Sequence, residues 1–151
     1  MTVRLQASDD IELLVTLLHD ADEDDARIRT TLTNPAYMSA VALVGEQVVG
    51  AVTVRWQEDE SEIEYVAVVP EARGRGYGKE IIAQVVEEGR RRKVGSLLVG
   101  TANSSWENIA FYQKCGFRMD HVRRDFFAYI QPPIVEDGIP MLDMLVLRYR
   151  L

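Results

Sequence analysis

The sequence predicts an α/β fold, a mixed sheet with two crossover helices. Three observations carry that prediction. Residues 61–69, SEIEYVAVV, alternate at first and then run continuously apolar, the pattern of a strand covered on both faces. From Gly76 onward, Ile81, Ile82, Val85 and Val86 fall on one helical face, with Lys79, Glu80, Glu87 and Glu88 around it. A second apolar run, GSLLVGT at 95–101, leads into a helix from Trp106 to Lys114 that Gly116 stops.

The remaining elements follow in order. Residues 2–7 read as a short strand, with Val3 and Leu5 alternating. Ser8 offers a capping oxygen to a first helix over about 9–19, whose apolar positions are Ile11, Leu14, Val15 and Leu18. Asp20 to Asp25 form an acidic loop or open a second short helix carrying Ile28 and Leu32, closed by Pro35. Residues 37–45 and 48–56 are β-rich runs around Gly45-Glu46-Gln47, a hairpin signal. Arg90 to Lys93 make a basic end to the long helix, favourable against its dipole. Phe117 to Phe127 and Met141 to Arg148 read as two last strands around a Pro-rich loop, Gln131 to Pro140. The order is β-α-α-β-β-β-α-β-α-β-β.

Composition bounds the function. A length of 151 residues fits one domain over 1–151. Hydrophobic residues at 47% and charged residues at 27% exclude disordered and low-complexity classes. The net charge of −7 argues against nucleic acid as a partner. That charge is uneven: residues 1–71 hold 15 acids and 4 bases, residues 72–151 hold 9 acids and 13 bases. The split suggests an anion held by the second half and a cation drawn to the first. One cysteine, Cys115, and two histidines, His19 and His121, leave too few ligands for a structural metal. With no signal-peptide pattern, no disulfide and no run of 18 apolar residues, a cytoplasmic location away from any membrane is expected.

The segment Val69-Pro-Glu-Ala-Arg-Gly-Arg-Gly-Tyr-Gly-Lys79 carries the most chemistry. It joins a buried strand to a helix through Gly74, Gly76 and Gly78. Backbone N–H groups at that helix start, beside Arg73, Arg75 and Lys79, make an anion cradle. A Walker A loop is excluded, because Arg73 stands where its first Gly is required and Glu80 replaces Ser/Thr. The dinucleotide fingerprint fails because its third Gly would fall at Lys79. What fits is R-x-x-G-x-G over Arg73, Gly76 and Gly78.

With this loop the chain resembles the GCN5-related N-acetyltransferases, the GNAT superfamily. A second stretch, Ser105-Trp-Glu-Asn-Ile-Ala-Phe-Tyr-Gln-Lys-Cys-Gly-Phe117, is similar to that family's later helix. It departs at Ser105, where Asn is common, and at Asn108, where Ala is common. From Tyr112 through RRDFF to EDGIP and DML the chain also resembles an uncharacterised bacterial branch. The resemblance implies the GNAT fold, a mixed sheet of about seven strands splayed between the fourth and fifth, with about four helices.

It also implies acetyl-CoA as acyl donor and no metal. The pyrophosphate would sit on Arg73, Gly74, Arg75, Gly76, Tyr77, Gly78 and Lys79. The pantetheine arm would lie along the backbone of Val66, Ala67 and Val68, like an added strand, and touch Ser105, Asn108 and Tyr112. The acceptor amine must lose a proton, and Glu62 or Glu64 is the candidate base, directly or through water. Both fall on one face unless a bulge intervenes. Tyr112 is the candidate acid toward the leaving thiolate. The acidic stretch Asp20 to Asp25 falls in the helix pair that commonly lines the acceptor cleft, so a small cationic amine is the expected acceptor. Arg123, Arg124 and the segment Asp125 to Phe127 are candidates for the wall of that pocket. Peptide N-acetylation and non-catalytic acyl-CoA binding are the alternatives. Family members are often dimers, so a homodimer is an arrangement the resemblance allows.

Overall fold

Two antiparallel half-sheets meet along one short parallel seam. The computed structural model describes residues 2–22 and 24–151. In chain order these form β1 (Arg4–Ala7), α1 (Ile11–Leu18), α2 (Asp25–Leu32), β2 (Tyr37–Val44), β3 (Gln47–Arg55), β4 (Glu60–Val68) and α3 (Tyr77–Arg91). Then come β5 (Ser96–Ala102), α4 (Trp106–Lys114), β6 (Arg118–Arg123), β7 (Val135–Glu136), β8 (Ile139–Pro140) and β9 (Met144–Arg150). The main sheet has seven strands in the order β1-β2-β3-β4-β5-β9-β6, and β7 and β8 pair by themselves. This is the seven-stranded GNAT arrangement with four helices that the sequence implied.

The seam is where the fold makes room for chemistry. Strand β4 pairs with β3 as far as Gly50↔Val68, and β5 pairs with β9 as far as Ala102↔Met144. Between β4 and β5 the parallel ladder covers only Glu60↔Ser96 to Ile63↔Val99. Beyond it each strand follows its own antiparallel partner. Parallel pairing is slightly weaker per residue and sheet twist accumulates, so the two halves splay.

One apolar cluster lies on each face of the sheet. Ile81, Ile82 and Val85 of α3 bury against Ile63, Leu97 and Leu147 on one face. Leu14 and Leu18 of α1 with Ile28 of α2 bury against Val41, Ala51 and Tyr65 on the other. Each fully buried Leu or Ile stabilises by about 1.5–3 kcal/mol.

Several local expectations shift. Asp10, not Ser8, caps α1: its side chain accepts from Leu13 N at 3.2 Å, while Ser8 Oγ accepts from Asp10 N. The strand expected over Phe117 to Phe127 ends at Arg123, and the chain then turns, with Asp125 at φ 57°. The loop Gln131 to Pro140 contains the small β7–β8 hairpin, and the last strand begins at Met144 rather than Met141.

Candidate active site

The glycine-rich connection leaves β4 through a short turn at Pro70–Ala72 and enters α3 at Gly76. Gly76 has φ +81°, a left-handed conformation that a side chain disfavours. A Cβ there would meet nothing within 4 Å, so the demand for glycine is conformational and the space outside the loop is open. At Gly78 the reason differs, since a Cβ would lie 3.3 Å from the Phe111 ring, where α3 packs on α4. The first N–H groups of α3 lack partners within the helix. Arg75 and Lys79 are exposed beside them, whereas Tyr77 packs against the core. Arg73 is already engaged: Nε donates to Val68 O at 3.0 Å and Nη2 pairs with Asp20 at 2.8 Å.

The edge of β4 facing β5 is the second component. Val69 N donates to Val49 O, so antiparallel alternation also turns the N–H and C=O of Ala67 toward β3. Val66 and Val68 therefore present their backbone groups to the gap. The Val68 carbonyl is taken by Arg73 Nε, so the N–H and C=O of Val66 and the N–H of Val68 are what this edge offers an extended ligand with amide groups. The anion cradle and this edge together suit the pyrophosphate and pantetheine of a coenzyme A thioester.

A cavity of about 810 Å³ runs along the β4 edge and reaches the start of the loop at Arg73. It is lined by Val66, Ala67, Val68, Arg73, Ser105, Asn108 and Tyr112, and by Glu64. Glu62 and the loop residues Gly74 to Lys79 are not in its lining.

The two glutamates separate because a bulge intervenes. Thr53 pairs with Tyr65 and Val54 with Ile63, so Glu64 is the extra residue of β4. Ile63 and Tyr65, two apart, consequently pack in clusters on opposite faces. Glu62, 8% exposed, is held by Arg123 Nη2 at 3.0 Å, with Arg55 Nη2 at 3.7 Å. Among the described residues Glu64 has neither a hydrogen bond nor an ion pair. Burial, reinforced by the charge of Glu62, holds its carboxyl above the ordinary carboxylate range, against the pull of Arg55, Arg123 and Arg27.

Tyr112 is buried on α4, edge-on to Phe111 and Phe117. Its hydroxyl has no hydrogen-bond partner among the described residues, and burial raises its pKa. Ser105 occupies the N-cap position of α4 without capping it. Its hydroxyl and that of Ser104 instead donate to Glu136 Oε1 at 3.0 and 2.8 Å, and Trp106 Nε1 donates to Asp137. The β7–β8 hairpin is thereby fastened to the start of α4. Cys115 packs against the core, its thiol pushed up by burial.

The cavity is also walled by residues 19–22, by Arg27 and by the strap between β6 and β9. Asp22 accepts from Tyr65 Oη at 3.0 Å, with Arg27 Nε at 3.5 Å, and the Arg27 guanidinium lies 4.3 Å from the centre of the Tyr129 ring. Phe126, Phe127, Tyr129 and Ile134 of the strap line the same space. Sequence reasoning placed Phe127 on a strand and passed over Glu136 and Tyr129. The RRDFF aromatic pair was the signal for the wall, and Glu136 stood in the EDGIP stretch without its side chain being singled out.

Among the described residues no helix is long and apolar enough to cross a membrane, and no three His, Cys, Asp or Glu side chains group as metal ligands. Comparisons with known proteins agree with the geometry. The model of the acetyltransferase (GNAT) family matches residues 7–117. An uncharacterised N-acetyltransferase of Bacillus subtilis, YvbK, is 32% identical over 106 residues, covering 69% of this chain and 68% of that protein. A GNAT-family acetyltransferase from Elizabethkingia anophelis with acetyl-CoA bound superposes with a TM-score of 0.89, at 27% identity over 99% of both chains. A Bacillus cereus protein described as an IAA acetyltransferase superposes with a TM-score of 0.86, at 31% identity over 99% of this chain and 100% of that one. The anion loop, the opened strand edge and these likenesses make the chain a member of the GNAT family, an acetyl-CoA-dependent N-acetyltransferase.

Proposed function

We propose that the protein acetylates the primary amine of a small cationic molecule by direct attack in a ternary complex. One observation supports this most: the same cavity touches the backbone edge of Val66 and Val68 and, beside it, the unpartnered carboxyl of Glu64. Acetyl-CoA supplies an activated acyl group. The loop from Arg73 to Lys79 holds its pyrophosphate, and the β4 edge orients its arm. Ser105 and Asn108 flank that arm.

Glu64 is the base in this reading, because Glu62 is engaged by two arginines. Glu64 takes a proton from the acceptor ammonium. The freed nitrogen forms a bond to the thioester carbonyl carbon as the carbon–sulfur bond breaks. A β4 N–H facing the gap stabilises the carbonyl oxygen. Tyr112 donates its hydroxyl hydrogen to the leaving sulfur, and the nitrogen sheds its surplus proton through solvent to the tyrosinate, giving neutral amide, free thiol and Tyr112 restored.

Initial-rate kinetics with both substrates varied test the ternary complex. Intersecting reciprocal plots are expected, and parallel plots would indicate an acetylated enzyme. A screen of small amines against peptides with free N-termini or lysines tests the acceptor. Acetylation confined to peptides would replace this reading with a peptide acetyltransferase.

A further inference from the structure

We infer that the acceptor is a monoamine carried on an aromatic or flat apolar body, rather than a polyamine. This rests on the amine-acetylating reading above and narrows it. The acidic stretch that suggested a polycation is internally engaged wherever it is described. Asp20 pairs with Arg73, and Asp22 with Tyr65 and Arg27. Asp24 caps α2 through Ala26 N at 2.9 Å, and Asp25 pairs with His19 at 2.8 Å. Glu23 lies outside the described residues. Of the other carboxylates lining the cavity, Glu136 accepts from Ser104 and Ser105, and Glu107 is exposed on the first turn of α4, so Glu64 is the half-buried one left to receive an ammonium.

The rest of that wall has the opposite character. Phe126 and Phe127 stand edge-on with ring centres 5.0 Å apart, and Tyr129 follows at 6.4 Å from Phe127. All three line the cavity together with Ile134. The strap that carries them is held in place: Phe127 N donates to Leu142 O at 3.0 Å, and Asp125 N to Asp143 Oδ1 at 2.8 Å. Rings fixed in this way favour a flat apolar body by area and by edge-to-face contact. Arg27, which lies over Tyr129, is paired with Asp22, so this corner of the wall offers no anion to a second ammonium. A single ammonium at Glu64 with an apolar body toward Phe127 satisfies both halves of the site. A chain bearing several ammonium groups satisfies the first half and leaves its other charges against an apolar wall.

The test compares phenethylamine, butylamine and spermidine as acceptors for the full chain, following thiol release from acetyl-CoA. Calorimetry of each amine with the enzyme–CoA complex gives binding apart from turnover. Expected is a kcat/KM for phenethylamine at least about tenfold above that for butylamine and spermidine, matched in affinity. Phe127→Ala should erase most of that preference through KM. Phe127→Leu, which preserves volume, should erase only part and guards against misfolding of the strap. Preference for spermidine, or equal rates for phenethylamine and butylamine, overturns the inference while leaving amine acetylation intact. Thiol release stimulated by none of the amines overturns the amine reading and this inference with it.

Discussion

Gly50 couples the stability of the sheet to the width of the donor gap. A Cβ at this position would lie 2.2 Å from the carbonyl oxygen of Ala67 and 3.2 Å from the Val68 Cα. Ordinary contact begins near 3.4 Å, so Gly50→Ala must open the β3–β4 spacing by roughly 1 Å, and no rotamer change can absorb it because every clashing atom is backbone. Overpacking costs about 1–3 kcal/mol and two weakened ladder hydrogen bonds about 1 kcal/mol each. The expected loss is about 3–5 kcal/mol, a large share of the stability of a typical domain. At about 2–4 °C per kcal/mol for a chain of this size, Tm should fall by roughly 10 °C. The displacement moves Val66 and Val68 toward β5, so affinity for CoA should fall more than the melt alone explains. Thermal melts and calorimetric CoA titration at 15 °C, where the variant is still folded, would measure both. Gly45→Ala, in the β2–β3 turn, is the control, since a Cβ there meets nothing within 4 Å and the cost is confined to its φ of +60°. A Gly50→Ala protein that melts within 2 °C of the parent and binds CoA equally would refute the reasoning.

Other substitutions separate the chemical roles. Glu64→Gln should lower kcat by about 10²–10⁴, the usual worth of a general base, and flatten the acid limb of its pH profile. That limb should rise through a pKa above the ordinary carboxylate value. The same variant should melt higher than the parent at neutral pH. A carboxyl raised in the folded state binds its proton more tightly there than when unfolded, so the parent loses stability as pH climbs above about 4.3 and the amide does not. A Tm difference that vanishes below pH 4 is the expected sign. Glu62→Gln should keep an acid limb but move it to lower pH, since the Glu62 charge helps hold the Glu64 carboxyl up, and should cost about 1–3 kcal/mol in a urea melt, because Arg123 and Arg55 lose their buried partner while still reaching water. Tyr112→Phe should reduce kcat about 10²-fold with little change in KM for acetyl-CoA. An equal rate would remove the hydroxyl from the chemistry.

What the sequence disclosed was what depends on neighbours along the chain. The glycine connection, the apolar face of α3 and the bounds Trp106–Lys114 of α4 are local features, and all are present. The seam was legible only through family resemblance, because nothing in residues 61–69 records where pairing with β5 stops. Distant partners were not legible. Arg73 and Asp20 are 53 residues apart, and Ser105 and Glu136 are 31 apart. The first pairing turns part of an expected cation trap into an internal tie, and the second ties a residue expected on the pantetheine arm to the β7–β8 hairpin. The split in charge between the two halves therefore reflects the inside of the molecule as much as its ligands.

The extra residue in β4 has a consequence for how this site can change. Glu64 reaches the cavity because Thr53 and Val54 face Tyr65 and Ile63 with one residue to spare. Its position is written in the number of residues between two pairings, not in the kinds of residue that make them. A survey of substitutions would find β3 and β4 tolerant of many apolar exchanges and miss this. Removal of a single residue from β4 would restore alternation and turn Tyr65 away from the cluster in which it packs, leaving every side-chain type intact. In this strand the unit of functional variation is the insertion or deletion.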